Sequence, residues 1–397
     1  DTALRQIQER LTNNPADPLA YAVHAQLGSL YLQKVRETGD PSYYARAEAA
    51  LQQSLALGPD NALAAAGMGA LSLARHDFDA GLHWGETARR QAPWAPGPLG
   101  IVADALTELG RYDEAVAAVQ EMVDLRPDLA SLSRVSYARE LHGDLPGAVD
   151  AMRRALDAAS PGTEAAAWAR IHLAHLLFLT GNLDGAKREY GATLAYLPDY
   201  VHGLAGRARV AAARGDLKTA IEFYESAQAT QPVPEYAIAL GDVYRAAGRD
   251  ASAARQDELV RVITRLQRSA GVDVDLELSV FEAERAAAAK DRRALEDAVE
   301  TAAAQHARRP DSVAALDALA WTLHLAGRSQ EALPLSHQAL RLNTQDPLVL
   351  YHAGAIASAA GNAAEARTHL EAALARNPHF HPRYAQAARV LLESLRR

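Results

Sequence analysis

A six-residue phrase that begins with glycine and ends with alanine recurs along the chain, and this repetition constrains the fold more than any other feature. Complete phrases occupy residues 110–115, 143–148, 181–186, 215–220, 248–253, 327–332 and 361–366. Most successive alanines are 33 or 34 residues apart, and the one long gap contains a further copy at 293–298 that lacks the glycine. Such a period indicates an array of similar structural units instead of two or three unrelated domains.

Prolines mark the same period independently. Four of them are spaced 34 residues apart, namely Pro59, Pro93, Pro127 and Pro161, and Pro198 and Pro232 continue the series. Glycine supplies the left-handed turn that closes a helix, and an aspartate or asparagine after it can cap the next helix. Proline disfavours helix in the residue before it. Each unit is therefore predicted to be a helix, a tight turn, a second helix and a stop.

The apolar residues between these marks fall at steps of three and four, as in Leu173, Leu176 and Leu177, which is the pattern of one helix face. Hydrophobic residues make up 49% of the chain, but much of that share is alanine, with only five Phe and three Met. Alanine is a strong helix former and lets helices approach closely. The composition favours thin, closely packed helical layers.

These features resemble the tetratricopeptide repeat family, in its bacterial multi-repeat form. First-helix positions of the family pattern match Leu27, Gly28 and Tyr31, and second-helix positions match Ala220, Tyr224, Ala227 and Pro232. The chain departs from the pattern at Gly85 and Asp257, where the family has aromatic residues. The resemblance implies an all-α, right-handed superhelical solenoid of about ten helix-turn-helix repeats with terminal capping helices.

Five segments are expected on this basis. They are an N-terminal lone helix or cap (1–16), repeat units one to seven (17–255), an irregular extension (256–276), units eight to ten (277–378) and a C-terminal capping helix (379–397). The last segment carries Arg383 and Arg389, which predicts a polar cap on the final apolar face.

Charge and cysteine content narrow the classes of partner. The formal charge is −8, from 41 basic and 49 acidic residues, and the basic residues form no patch, so we expect no nucleic-acid partner. The absence of cysteine excludes disulfides and thiolate sites. No apolar run approaches the ~20 residues that span a bilayer. Because the chain starts at Asp1 and not at methionine, an exported protein, periplasmic or at the cell surface, is favoured over a cytoplasmic one, with a trimmed chain as the alternative.

Catalytic motifs are missing from the sequence. It contains no Gly-x-Ser-x-Gly elbow and no glycine-rich phosphate loop, so we expect neither an enzyme nor a cofactor. His172 and His175 lie three residues apart on a predicted helix, but zinc sites usually need three or four ligands. We therefore expect no metal site and keep metal or small-ligand binding through these histidines as an alternative.

The family resemblance places the first helix of each unit on a concave wall. Residues predicted by periodicity to face that wall are Arg134, Tyr137, Trp168, His172, His175, Arg209, Asp242, Arg245, Trp321 and His324. Aromatic and arginine side chains dominate binding hot spots, so the wall predicts a protein or peptide partner. For each single residue, packing between neighbouring helices is the competing interpretation. Self-assembly into an oligomer or filament is a further alternative, in which the lone N-terminal helix completes a repeat of a neighbouring chain.

Overall fold

The computed structural model describes residues 2–14 and 17–396, and its secondary structure over these residues consists of 22 helices. The first eleven are α1 (Thr2–Asn13), α2 (Ala20–Thr38), α3 (Ser42–Leu57), α4 (Ala62–Ala74), α5 (Phe78–Gln91), α6 (Pro96–Glu108), α7 (Tyr112–Leu125), α8 (Leu129–Leu141), α9 (Leu145–Asp157), α10 (Glu164–Leu179) and α11 (Leu183–Leu194). The others are α12 (Val201–Ala213), α13 (Leu217–Thr230), α14 (Pro234–Ala246), α15 (Asp250–Ser269), α16 (Asp275–Ala289), α17 (Arg292–Arg308), α18 (Val313–Leu325), α19 (Ser329–Ala339), α20 (Pro347–Ala359), α21 (Ala363–Arg376) and α22 (Tyr384–Ser394).

Helices α2 to α21 form ten consecutive pairs, and each pair is the first and the second helix of one repeat unit. This arrangement confirms the predicted all-helical repeat architecture. The periodic prolines do end second helices. Pro59 follows the end of α3 at Leu57, and Pro232 follows the end of α13 at Thr230. Pro15, predicted to end the N-terminal helix, lies outside the described residues.

The turn inside each unit has the predicted chemistry. All seven phrase glycines adopt positive φ angles, between 69° and 89°. At Gly143 the close approach matters as well, since a Cβ there would lie 2.2 Å from the carbonyl oxygen of Asn343. The phrase predicted at 293–298 is placed three residues too late, because the turn of that unit lies at Lys290, with φ 57°, and α17 begins at Arg292. A positive φ costs a non-glycine residue free energy. Asp144, Asn182 and Asp216 cap the helices that follow, each accepting a backbone N–H.

Alanine occupies the places where paired helices approach most closely. Ala148, Ala186 and Ala220, the last residues of three phrases, are fully buried. A larger side chain at these positions would push the pair apart, because interiors are close-packed. Within residues 2–14 and 17–396, no helix is long and apolar enough to cross a membrane.

The chain divides into two compact units. Unit 1 comprises residues 1–127 and 265–274 and contains α1 to α7. Its helix α1 packs on α2 of its own chain, where Leu4, Ile7 and Leu11 cover a cluster that includes Tyr31. The loop after α15 is tied to the turn between α4 and α5, because the Asp273 N–H donates to the Arg75 carbonyl over 2.9 Å.

Unit 2 comprises residues 128–264 and 275–397. Within it, the segment between α21 and α22 lies against helices far back in the chain. Asn377 bonds to Phe178 of α10, and Arg383 forms an ion pair with Asp242 of α14. The prediction that Arg383 belongs to a solvent-facing polar cap is therefore wrong, since its guanidinium meets a buried carboxylate. Helix α22 also buries Tyr384, Ala388 and Leu392.

The prediction of an irregular segment at 256–276 is wrong for most of that range. Helix α15 continues to Ser269, and only 270–274 form a loop before α16. Val260, Ile263 and Thr264 are buried along one side of α15 at helical spacing. The apolar spacing is hard to read in the sequence because the exposed side of α15 also carries apolar residues, Val262 and Leu266, while the buried side includes Asp257.

Candidate binding site

Two adjoining cavities lie against α10, α12 and α14 in unit 2. The first, here named the inner cavity, has a volume of about 350 Å³. Its wall is formed by aromatic, histidine and small residues with one arginine and one carboxylate: Trp168, Ile171, His172, His175, Tyr190, Tyr200, His202, Ala205, Gly206, Arg209, Tyr224, Glu235, Tyr236 and Ala239. The repeat period places residues from three successive first helices on one surface.

One side of the inner cavity is a wall of rings that pack in tilted and edge-to-face contacts. The Trp168 and His172 rings lie 4.1 Å apart between centroids, one turn apart on α10. His202 on α12 makes a hydrogen bond through Nδ1 with the Tyr236 hydroxyl on α14, and the two residues are 34 positions apart. Because that separation is one repeat, they hold equivalent places on neighbouring first helices.

Arg209 lies at the floor of the inner cavity. Its Nη1 lies 2.7 Å from His175 Nδ1, again 34 residues away, and its guanidinium stacks over the Phe178 ring at 5.6 Å. Burial, and then the Arg209 charge, lower the pKa of His175 to about 3. His175 is therefore neutral at pH 7, with Nδ1 accepting from Arg209 and the proton on Nε2. Tyr224 lies beside Arg209 in the lining of both cavities.

The second cavity, here named the covered cavity, has a volume of about 220 Å³. It shares His175, Arg209, Tyr224 and Ala239 with the inner cavity, so the two meet at Arg209. Its other side is made by the start of α20, at residues 346–348, and by residues 379–382 of the segment before α22. The chain thus covers with its own backbone part of the surface that the sequence assigned to a partner.

A charge network holds that segment in place. Asp242 is 3% exposed and lies 2.8 Å from Arg383 Nη1, 3.4 Å from Arg285 Nη2 and 3.5 Å from His381 Nε2. Burial alone would raise the pKa of Asp242, but the hydrogen bond and charge of His381, with Arg383 and Arg285, hold it well below its usual range. Asp257, a departure from the family pattern, belongs to the same network through Arg285 at 3.0 Å.

Several residues predicted to face a partner are used inside unit 2. Asp242 and Arg245 are part of the charge network, and Arg245 is paired with Asp257 as well. Trp321 is 3% exposed and stacks on His352 at 4.1 Å, and His324 packs on the other side of the indole at 5.0 Å. Asp242, Arg245 and Trp321 are therefore removed from the candidate surface, because their side chains are enclosed by their own chain.

Arg134 and Tyr137 on α8 line neither cavity. Arg134 donates to the Ala130 carbonyl over 2.9 Å, while the Tyr137 side chain is exposed. Their role in binding stays a prediction. Of the predicted set, the structure brings together Trp168, His172, His175 and Arg209 around the inner cavity.

The site also contains tyrosines that the sequence analysis did not select. Tyr190 and Tyr224 reach the cavity from the second helices α11 and α13, and Tyr200 and Tyr236 close its rim. Tyr190 and Tyr224 are 34 residues apart, so the period itself contained the signal. The set predicted from periodicity contained residues of first helices alone and therefore did not include them.

The metal alternative gains no support from the geometry. Within the described ranges, no group of three or more histidine or acidic side chains could hold a metal ion. His172 and His175 are instead engaged by Trp168 and Arg209, respectively.

Comparisons with known proteins agree with this architecture. Family models described as tetratricopeptide repeat match residues 103–170, 171–237 and 323–391. No curated protein matches the sequence. A structure of a human IFIT1 dimer with PPP-AAAA is similar at 15% identity and a TM-score of 0.53, over 81% of this chain and 73% of that one.

Two more solved structures are similar at lower TM-scores. An APC/C heterotetramer, Cut9–Hcn1, has 16% identity and a TM-score of 0.47, covering 94% of this chain and 76% of that chain. A thermophilic TPR protein of Thermus thermophilus has 20% identity and a TM-score of 0.41, covering 48% and 97%. The three matched regions, the repeat period and the ten helix pairs together show that the chain belongs to the tetratricopeptide repeat family.

Proposed function

We propose that this protein is an interaction scaffold that holds an extended segment of a partner protein in the inner cavity of unit 2. Tetratricopeptide repeats are protein-interaction architecture in general, and the proposal concerns the place and form of the contact. The observation that carries it is the inner cavity itself, with its wall of closely packed aromatic and imidazole rings around a single arginine.

The cavity has the composition of a binding site. Ligand sites are concave and mostly apolar, with a few placed polar groups, and volumes of a few hundred Å³ are typical. Trp168 and Tyr236 offer broad faces for apolar or aromatic side chains, and Arg209 and Glu235 offer charge. Rings that already pack against one another lose little conformational freedom when a ligand binds.

The occupant is an extended segment because the space is narrow. An α-helix with its side chains is about 10–12 Å across, whereas the inner cavity holds about 350 Å³ and residues 379–382 cover the surface beyond it. A few side chains of an extended peptide fit this space. An amphipathic helix would need the covering segment to leave.

A nucleic-acid ligand is less well supported, although the IFIT1 structure is described as containing PPP-AAAA. A triphosphate carries several negative charges and requires several cations around it. The lining of the inner cavity includes one arginine and no lysine, and it includes the carboxylate of Glu235.

The experiment is a selection of peptides from a random library on the immobilised full chain, followed by calorimetry. Trp168→Ala should weaken the selected peptides at least about tenfold, since an aromatic hot spot contributes roughly 2 kcal/mol or more. Ala239→Phe, which fills the space where the cavities meet, should abolish binding.

Trp94→Ala is the matched control, because Trp94 lies in unit 1 and is 74% exposed. It should leave the affinity unchanged. Failure to select any peptide, or equal affinity in the wild type, Trp168→Ala and Ala239→Phe, would contradict the proposal. Tight binding of a 5′-triphosphate RNA that Trp168→Ala abolishes would replace the peptide with a nucleic acid.

A further inference from the structure

Arg209 is a partly buried cation of unit 2. Its contacts are the neutral imidazole of His175 and the face of Phe178, and Tyr224 lines both cavities beside it. Among the residues that the structure describes, none forms an ion pair with it. Removing a charge from water is costly unless a partner compensates it, so this position favours an anion from outside.

The other arginines on the same inner surface differ from Arg209 in this respect. Arg245 is paired with Asp257, Arg285 with Asp257 and Asp242, and Arg383 with Asp242. Arg209 is the exception, and it is also the arginine at which the two cavities meet.

The acidic groups nearby are engaged elsewhere. Asp242 lines the covered cavity, but its oxygens face Arg383, Arg285 and His381. Asp346 lines the same cavity and accepts the backbone N–H groups of Leu348 and Val349 at the start of α20. Neither of these carboxylates forms an ion pair with Arg209, and no ion pair joins Arg209 to Glu235 in the wall of the inner cavity.

We infer that Arg209, with His175 and Tyr224 beside it, is an anchor for one carboxylate of the bound segment. This inference rests on the proposed function, and it identifies the bound segment as an acidic peptide. The carboxylate comes from an Asp or Glu side chain or from the end of the chain. A guanidinium meets a carboxylate through two parallel N–H···O bonds, and this geometry suits a fork held by Phe178 and His175.

Charge balance favours a carboxylate over a phosphate. The lining residues of the inner cavity include one cation, Arg209, and one carboxylate, Glu235, and the low pKa of His175 keeps that imidazole from supplying a second positive charge. A ligand carboxylate matches the single charge of Arg209. A phosphate dianion would enter the cavity with an unpaired negative charge, at the cost of desolvation.

The test compares acidic peptides with neutral twins by calorimetry. Peptides from the selection are made with each Asp or Glu replaced by Asn or Gln, and with a free or an amidated C-terminus. The inference expects about 10- to 100-fold weaker binding when the recognised carboxylate is removed, as for a charge-assisted hydrogen bond. If amidation of the peptide weakens binding, the recognised carboxylate is the C-terminus of the peptide. If Glu→Gln or Asp→Asn in the peptide weakens binding, it is that side chain.

Variants of the protein test the role of the Arg209 guanidinium directly. Arg209→Gln should lower the affinity of the acidic peptide to that of its neutral twin, and Arg209→Lys should restore only part of it. Arg207→Gln is the matched control, since Arg207 lies on the same helix and stacks over Phe223 at 5.2 Å but lines neither cavity. Thermal unfolding of each variant confirms that it folds.

The outcomes separate the two proposals. If peptides bind through Trp168 but neutral and acidic twins bind equally, the carboxylate anchor is wrong and the proposed function stands. A phosphorylated twin that binds more tightly than the acidic peptide also overturns the anchor. If no peptide is selected, titration with 4-phenylbutyrate and with 4-phenylbutanamide still tests the anchor. Binding of 4-phenylbutyrate but not of the amide, with loss of that binding in Arg209→Gln, supports the anchor. Equal binding of the two compounds, or binding of neither, overturns it.

Discussion

Asn377 donates a hydrogen bond from Nδ2 to the carbonyl oxygen of Phe178, over 2.7 Å and across 199 residues of sequence. Asn377 is completely buried, and its Oδ1 accepts the backbone N–H of His379. The side chain thus joins the end of α21 to α10 and shapes the segment that covers part of the inner surface. A contact between such distant repeats is not a property of neighbouring units alone.

Asn377→Ala should lower the free energy of unfolding by about 1–3 kcal/mol, because a buried hydrogen-bond network loses both its donor and its acceptor. Urea unfolding followed by circular dichroism measures the change. The control is Asn13→Ala, at an exposed residue of α1, which should fall within about 0.5 kcal/mol of the wild type. Equal midpoints for the two variants would mean that the link between the repeats does not stabilise unit 2.

Asp242→Asn should destabilise the protein by about 3–5 kcal/mol, since it leaves Arg383 and Arg285 without their shared buried counterion. The pKa of Asp242 is held below its ordinary value of 3.8, so its contribution is present above about that pH and is lost as the pH falls further. The acid side of the stability curve should therefore be shallower in the variant.

Asp184→Asn serves as the comparison for Asp242→Asn, because Asp184 is also paired with an arginine, Arg214, but is 80% exposed in its side chain. Exposed pairs contribute at most about 1 kcal/mol. Destabilisation of similar size in both variants would show that the buried network contributes no more to stability than an exposed ion pair.

Glu140 should make the protein less stable as the pH rises. Burial, and then the negative charge of Asp346, raise the pKa of Glu140 from 4.5 to about 7. The folded state therefore binds a proton that the unfolded state has released between these values, and stability falls through that window. Glu140→Gln should raise the urea midpoint at pH 8 and change it little at pH 4.

Glu222→Gln is the control for this pH effect, since Glu222 is 60% exposed beside Lys218. Its midpoint should follow the wild type at both pH values. The urea midpoint of the wild type should decline between pH 4.5 and 7 relative to that of Glu140→Gln. Absence of this decline would contradict the raised pKa of Glu140.

Trp321→Ala should cost about 3–5 kcal/mol of stability, the usual loss when a large aromatic residue is removed from a core. The indole lies between the rings of His352 and His324 and meets Tyr384 of α22 edge-on at 5.9 Å. Trp94→Ala, at an exposed tryptophan, should leave the midpoint of chemical unfolding nearly unchanged. If Trp321→Ala unfolds at the wild-type midpoint but loses peptide binding, the sequence-based assignment of Trp321 to a binding surface would be restored.

Local chemistry explains which expectations succeeded. Gly110, Asp144 and Pro59 act through their own backbone or through the next few residues, so their spacing was sufficient to predict turns, caps and helix ends. Helix α15 was missed because Asp257 lies among its buried positions while the apolar Val262 and Leu266 are exposed, so its apolar face is not evident from spacing. Lys290 shows that a turn can be kept without glycine when the flanking helices hold it.

The candidate site was predictable only in part, for a related reason. His175 and Arg209 are one period apart, so the sequence placed them on equivalent positions of adjacent helices, and the structure brings them together. Periodicity gives the face of a helix but not what covers that face. Asp242 and Trp321 were assigned to the same wall, yet residues 377–384 and helix α22 enclose them.

The sequence by itself determined the repeat period, the helix pairs and their turns, because those features depend on residues close together in the chain. Only the tertiary structure decided which part of the inner surface is free, since that depends on contacts across as many as 199 residues, such as the one between Asn377 and Phe178. Such contacts have no signature in spacing or composition. They arise where buried polar groups from distant repeats satisfy one another, as around Asp242, or are left without a counterion, as at Arg209.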